Sequence, residues 1–177
     1  MTFAYQQAKT QSELFFVQAE RFGEDTFMRA KYKNGLPCAE RTDVSWRKAA
    51  DQARWLGAGM IEKGIDKNDR IGIFSHNRPR WVIADQAIQG TGAIGVPIYP
   101  TSTDHQLAFI LNDCEAKALI AGDETLLEQA LRVMPEVPSL AFIVCLSPLA
   151  DASDNRVIDF DALIKQGSKS ASANPST

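Results

Sequence analysis

Apolar positions along this chain switch repeatedly between helical spacing and short continuous runs. The runs lie at residues 71–74, 95–99, 118–121 and 140–146. Runs of this length that are apolar on both faces predict buried strands, because a sheet covered by helices has no polar face. Helical spacing fills the intervals between the runs. This order predicts an α/β fold with a mostly parallel sheet and flanking crossover helices.

Several helix ends carry their own signals. Ser45 is placed to cap a helix, and Gly64 to end it in a left-handed conformation. Pro79 suits a first helical turn, and Thr103 and Gln106 have the spacing of a capping box. One apolar stripe follows Ser45: Trp46, Ala49, Ala50, Ala53, Leu56 and Met60. These signals place helices on both sides of the predicted strands.

The first 44 residues form a separate pattern. Residues 14–22 have helical spacing, and residues 26–32 and 38–44 flank Asn34-Gly35, a favoured hairpin turn. We therefore divide residues 1–166 into an N-terminal helix and hairpin (1–44) and an α/β core (45–166), both within one subdomain.

The end of the chain is polar. Asp159 is placed to cap a helix over residues 160–166, after which the apolar pattern stops. Residues 167–177 contain four serines and no large apolar side chain. This segment predicts a linker or an artificial chain end, because it buries too little surface to offset its ordering entropy.

Composition excludes several classes of protein. The chain has 177 residues, 45% of them hydrophobic, with a formal net charge of -3. It has no basic patch that would favour nucleic acid. Cys38, Cys114 and Cys145 lack paired spacing, which indicates reduced thiols rather than disulfides or a zinc site. Without a signal peptide or a long apolar run, a cytoplasmic location is expected, with peripheral membrane contact left open.

Residues 90–95 (GTGAIG) have the spacing of a dinucleotide fingerprint but the wrong polarity. A true fingerprint leaves a strand and opens a helix, whose N-terminus holds the pyrophosphate. Here an amphipathic segment at residues 81–88 precedes the glycines, and a β-branched run broken by Pro97 and Pro100 follows them. The hypothesis that the chain is an NAD-dependent oxidoreductase is therefore supported by the glycine spacing alone.

Three segments resemble a known family. Residues 69–81 (DRIGIFSHNRPRW), 92–101 (GAIGVPIYPT) and 116–123 (AKALIAGD) are similar to the N-terminal region of the acyl-adenylate-forming enzymes, and most similar to long-chain fatty acid CoA ligases. The resemblance extends over residues 10–166. It implies that the chain is part of the large N-terminal domain of such a ligase.

The resemblance also implies the parent reaction. A fatty acid and ATP form an acyl-adenylate with loss of diphosphate, and the thiol of CoA then displaces AMP. The parent enzyme uses ATP, Mg and CoA. Its phosphate loop, nucleotide-binding half and mobile C-terminal domain would lie downstream as partners in the same polypeptide. We therefore assign no catalytic or metal-binding residue to this chain, and expect it to be inactive alone and to hold no cofactor tightly.

Candidate contacts lie where the predicted strands end, since ligands of open α/β sheets gather at the carboxyl ends of the strands. Seven residues follow three of these ends and could line the substrate or CoA channel: Ser75, His76, Asn77, Thr101, Ser102, Gly122 and Asp123. Simpler roles compete with this one. His76 is also typical of a solvated loop, and Asn77 of a helix cap before Pro79. The pair Asp104-His105 is typical of a helix surface.

Other functions remain open at this point. Relatives of the same fold activate aryl, short-chain or medium-chain acids, and a binding module could retain the fold without the chemistry. A homodimer also remains open, because the surface that would meet a missing half should be apolar.

Overall fold

The structure, a computed structural model, describes residues 8–149 and 154–173, with side chains as far as residue 170. The described helices are α1 (Gln11–Phe22), α2 (Trp46–Glu62), α3 (Pro79–Thr91), α4 (Asp104–Asp113), α5 (Glu124–Val133) and α6 (Phe160–Ala173). The described strands are β1 (Thr26–Lys33), β2 (Leu36–Ser45), β3 (Arg70–Phe74), β4 (Ile94–Ile98), β5 (Ala118–Ala121), β6 (Phe142–Cys145) and β7 (Val157–Asp159).

Five strands form one parallel sheet in the order β4-β3-β5-β6-β7. The predicted α/β class is confirmed, as are all four strands predicted from apolar runs. Strand β7 was not predicted, because three residues following a polar loop are too short to show a period.

Apolar side chains cover both faces of the sheet, as a parallel sheet requires. One cluster joins α1, α2, α3 and α6 to the sheet, and another joins α4 and α5 to its other face. Alternation along β5 shows the division, since Ile120 belongs to the first cluster and Leu119 to the second.

The N-terminal hairpin is confirmed. Strands β1 and β2 pair antiparallel, and Asn34 and Gly35 have φ values of 52° and 82°, both in the left-handed region that this turn needs. Aromatic rings attach the hairpin to the helices: Phe27 lies 4.1 Å from Trp46 and 5.5 Å from Phe15 between ring centroids. Aromatic packing thus joins the hairpin to α1 and α2.

The predicted helix ends agree with the structure at α2 and α4. Ser45 accepts a hydrogen bond from the backbone N–H of Lys48. Gly64 has a φ of 87°, and the N–H of Ile65 donates to the carbonyl oxygen of Met60, which closes the last turn of α2. The capping box of α4 at Thr103 and Gln106 is also present.

Strand β4 is less buried than its sequence predicts. It is the edge strand of the described sheet, and within the predicted run Pro97 is exposed and Tyr99 is 82% exposed. The expectation of burial on both faces is wrong here, because an apolar run does not reveal whether a strand lies at an edge. The reversed polarity of residues 90–95 is confirmed, since α3 ends at Thr91, Gly92 adopts a left-handed conformation, and β4 follows.

Helix α6 extends beyond its predicted end. Asp159 caps it as expected, accepting from the N–H of Ala162 at 2.9 Å, but the helix continues to Ala173 instead of stopping at residue 166. Gly167 explains the extension: it is buried against α2, where the backbone of Trp55 and Gly59 leaves no room for a side chain. The predicted end of the helix at residue 166 is therefore wrong, and residues 174–177 lie outside the described residues.

No helix in the described part of the chain has the length and apolar composition needed to cross a membrane.

The contact at Gly167 yields a stability prediction. Gly167→Ala should lower the free energy of unfolding by about 1–3 kcal/mol, because the added methyl group would overlap backbone atoms of α2 that cannot move independently. Thermal unfolding and amide hydrogen exchange of residues 160–170 would measure this loss. Lys165→Ala, at an exposed position of the same helix, is the control. An unchanged midpoint for Gly167→Ala would contradict the packing described above.

Candidate functional site

The carboxyl ends of four strands lie side by side. Phe74 of β3 pairs in register with Ile98 of β4 and with Ala121 of β5, which in turn pairs with Cys145 of β6. The segments after these strands, residues 75–78, 99–103, 122–123 and 146–147, form what we call the carboxyl edge. The parallel order therefore brings the seven sequence-predicted residues to one edge of the sheet.

In the first segment, burial separates Ser75 from its neighbours. Ser75 is buried and its hydroxyl donates to the carbonyl oxygen of His76 at 2.8 Å, whereas His76 and Asn77 are exposed. The proposed capping role of Asn77 is wrong: the N-cap of α3 is Arg78, which makes no capping bond with its side chain. His76 and Asn77 are thus the accessible polar side chains of this segment.

In the second segment, Thr101 is exposed and Ser102 is half-buried. The amide of Gln129, on α5, donates to the carbonyl oxygen of Ser102 at 2.8 Å. Thr103 caps α4 and is occupied by that role. The segment is therefore held by α5 while the hydroxyl of Thr101 faces solvent.

The third segment has structural roles. Gly122 is buried, and a Cβ atom on it would lie 2.5 Å from the hydroxyl oxygen of Ser75. Asp123 is the N-cap of α5, with its carboxylate accepting from the N–H of Leu126 at 3.1 Å. Gly122 permits two loops to approach closely, and Asp123 stabilises the helix that follows.

Two residues that sequence reasoning missed organise this edge. Arg78 is only 8% exposed, and its Nη1 donates both to the carbonyl oxygen of Gly122 and to the hydroxyl of Ser147. The hydroxyl oxygen of Ser147 lies 3.2 Å from the carbonyl oxygen of Gly122 and 3.5 Å from that of Gly35 in the hairpin turn, so its single proton has two alternative acceptors. The pair of arginines around Pro79 was the available signal, but their partners lie far away in sequence.

Arg80 attaches the hairpin turn and α6 to the same edge. Its Nη1 donates to the carbonyl oxygen of Leu146 at 2.7 Å, and its Nη2 donates to both carboxylate oxygens of Asp161. A Cβ atom on Gly35 would lie 2.5 Å from Arg80 Nη1, so the turn packs directly on this guanidinium. The hairpin therefore covers part of the carboxyl edge and leaves the segments after β3 and β4 open.

The described residues supply little reactive chemistry. They contain no group of three or more His, Cys, Asp or Glu side chains that could hold a metal ion. The three cysteines are unpaired, and burial raises the pKa of Cys145 to about 11, so its thiol stays protonated at neutral pH. Asp104 pairs with Arg132 at 3.1 Å, so its carboxylate does not orient His105.

Comparison with known proteins agrees with the fold. The family model of AMP-binding enzymes matches residues 15–175. A long-chain-fatty-acid–CoA ligase of Mycobacterium bovis is 39% identical over 99 residues, which cover 56% of this chain and 16% of that protein. The chain therefore spans a small part of the length of this relative.

Two solved structures have a similar fold. A long-chain-fatty-acid–CoA ligase from Archaeoglobus fulgidus has a TM-score of 0.73 at 21% identity, covering 88% of this chain and 29% of that one. An anthranilate CoA ligase in complex with anthranoyl-AMP has a TM-score of 0.75 at 18% identity, covering 93% and 30%. At these identities the likeness concerns the fold alone.

The contact between Gly122 and Ser75 can be tested by a double-mutant cycle. Gly122→Ala should destabilise the chain by about 1–3 kcal/mol, because the new methyl group meets the side chain and backbone of Ser75. The same change in a Ser75→Gly background should cost less, by about 0.5 kcal/mol or more, because the hydroxymethyl group is gone. Denaturant unfolding measures all four forms. Strict additivity would contradict the close approach.

Proposed function

The chain belongs to the AMP-binding enzyme family, and from this membership we propose that it is the N-terminal portion of an ATP-dependent long-chain fatty acid–CoA ligase. The observation that carries the substrate class is the 39% identity to a long-chain-fatty-acid–CoA ligase over 99 residues. The small share of that relative spanned by this chain supports the remainder of the same polypeptide as its principal partner.

The proposed reaction has two steps. The carboxylate of the fatty acid attacks the α-phosphorus of ATP and diphosphate leaves; the sulfur of CoA then attacks the acyl carbon, losing its proton, and AMP leaves. Both steps require donors that neutralise the phosphate charge. The described residues contain no set of metal ligands, and the sequence contains no Ser/Thr/Gly-rich loop ending in lysine. We therefore assign magnesium binding and catalysis to other parts of the polypeptide.

With catalysis assigned to other parts of the polypeptide, the proposed role of the carboxyl edge is to form one wall of the substrate or CoA channel. His76, Asn77, Thr101 and Ser102 are the proposed lining residues, supported by their position after β3 and β4 and by the exposure of the first three. Ser75, Gly122 and Asp123 belong to the same proposed wall, and their contacts within the chain also hold its loops in place.

Exposed apolar side chains support the proposal that part of this surface contacts the rest of the polypeptide. Ile94 of the edge strand, Tyr99 directly after it and Phe109 of α4 are 49%, 82% and 64% exposed. Large apolar side chains exposed at the open edge of a sheet favour coverage by another segment. A homodimer through the same apolar surface, peripheral membrane contact and a cytoplasmic location remain further proposals.

The substrate class can be tested with the polypeptide encoded by the complete reading frame. We expect ATP–diphosphate exchange with palmitate to exceed exchange with benzoate or acetate by about tenfold or more in kcat/KM, because a long apolar channel gains contact with each added methylene. A preference for benzoate or acetate would favour another acid-activating ligase. Absence of exchange with every acid, together with absence of a Ser/Thr/Gly-rich loop ending in lysine downstream of residue 177, would favour a non-catalytic binding module.

The lining residues can be tested in the same polypeptide. His76→Ala and Thr101→Ala should raise KM for the acid or for CoA by about threefold or more, with kcat nearly unchanged, because each removes a binding contact and no catalytic group. His105→Ala, which removes an exposed imidazole from the surface of α4, is the matched control. If neither variant differs from the control, these two side chains do not line the channel.

A further inference from the structure

A cavity of about 320 Å³ lies between the hairpin turn and helices α2, α3 and α6. Its charged lining residues are Lys48, Arg78, Arg80 and Asp161. Three cations therefore face one carboxylate, in a chain whose formal net charge is -3. His76, Asn77 and Thr101, the lining residues proposed above, do not line this cavity.

The single carboxylate is already paired. Asp161 accepts from Arg80 Nη2 with both of its oxygens, at 2.9 and 2.7 Å, and Arg80 Nη1 donates to the carbonyl oxygen of Leu146. Such a two-oxygen contact neutralises both partners. The positive charges of Lys48 and Arg78 remain without a counter-charge in the cavity lining.

Arg78 has an unused hydrogen-bonding edge. Its Nη1 is bound to Gly122 and Ser147, and the ring of Tyr32 covers the guanidinium at 5.0 Å. Its Nε is buried without a hydrogen-bond partner among the described residues, and none of the described hydrogen bonds involves its Nη2. Nε and Nη2 form one of the edges through which arginine binds two oxygens of an anion. An unpaired donor on a buried cation is costly, so this edge of Arg78 has the capacity to take an acceptor.

Two further features favour an anion at the same place. Helix α3 begins at this cavity, its N-cap makes no side-chain hydrogen bond, and its thirteen residues direct their positive dipole end toward Arg78 and Pro79. Lys48 is exposed, and within the described part of the chain its ammonium group makes no ion pair or hydrogen bond. It can therefore turn toward a ligand without breaking an existing contact.

We propose that this cavity binds a phosphate group, with two phosphate oxygens accepting from Arg78 Nε and Nη2, and with Lys48 and the N-terminus of α3 balancing the remaining charge. A phosphate fits better than a carboxylate because it offers further oxygens to the lysine and to the helix end. The cavity is larger than one phosphate, so the group belongs either to free phosphate or to a phosphorylated small molecule.

The test is a titration of the ¹⁵N-labelled chain with inorganic phosphate, followed by the Nε–H resonance of Arg78 and by calorimetry. Sodium chloride at the same ionic strength is the reference for non-specific charge effects. We expect a saturable shift of the Arg78 resonance with phosphate and none with chloride. No shift, or equal shifts with both salts, would overturn the proposal.

A pair of lysine variants keeps the test independent of folding. Lys48→Gln should weaken phosphate binding by about tenfold, the usual loss for a hydrogen bond to a charged group. Lys63→Gln, an exposed lysine at the other end of α2, should leave it unchanged. Equal effects of the two variants would show that binding is not centred on this cavity.

A third variant tests the arginine itself. Arg78→Lys, which retains the charge but not the two-donor edge, should abolish the saturable heat of phosphate binding in the calorimetric titration. The midpoint of its thermal unfolding reports whether this variant still folds.

Two more ligands identify the source of the phosphate group. ADP binding more tightly than inorganic phosphate, with the same loss in Lys48→Gln, indicates a phosphorylated molecule; equal or weaker binding indicates free phosphate. Acetate should bind at least about tenfold more weakly than phosphate, because it lacks the further oxygens. Acetate that binds as tightly as phosphate would overturn the choice of phosphate. None of these outcomes depends on acyl-CoA ligase activity.

Discussion

The buried guanidinium of Arg78 is the interaction on which the carboxyl edge depends. It reaches the carbonyl oxygen of Gly122 after β5 and the hydroxyl of Ser147 after β6, while the ring of Tyr32 from the hairpin lies over it. A buried charge is tolerated only where polar groups surround it. The ends of separate strands and the hairpin are therefore held in one arrangement by their contacts with a single buried cation.

This constraint divides the carboxyl edge into a closed and an open part. On the β5 and β6 side, Gly122 and Gly35 let backbones approach side chains so closely that no Cβ atom fits. On the β3 and β4 side, His76, Asn77 and Thr101 remain exposed. A rigid support beside an accessible polar rim is the usual arrangement of a binding wall on an open α/β sheet.

The proposed function assigns magnesium binding and catalysis to other parts of the polypeptide. Members of the AMP-binding family must neutralise charge that develops on phosphate, yet the described side chains form no metal-binding group. The open edge of β4 and the exposed rings of Tyr99 and Phe109 offer apolar surface instead. In the proposed function, this apolar surface contacts another part of the polypeptide.

Local patterns in the sequence determined most of the elements. The hairpin turn at Asn34-Gly35, the caps at Ser45 and Thr103, and the four apolar strands were predictable because each depends on residues only a few positions apart. The resemblance to acyl-adenylate-forming enzymes could likewise be stated from contiguous motifs, and the family match is in agreement. What the sequence determined by itself was therefore the type and order of the elements and the family.

Only the tertiary structure decided which candidate residues are accessible. Gly122 and Asp123 had the position of site residues, but contacts with Ser75, Arg78 and the start of α5 gave them structural roles. The edge position of β4, the short strand β7 and the continuation of α6 past residue 166 also escaped prediction. All of these features escaped prediction for the same physical reason. Burial, strand order and the hydrogen-bond partners of a buried cation depend on residues far apart in sequence, whereas the hydrophobic periodicity of a segment reflects only residues that are close together.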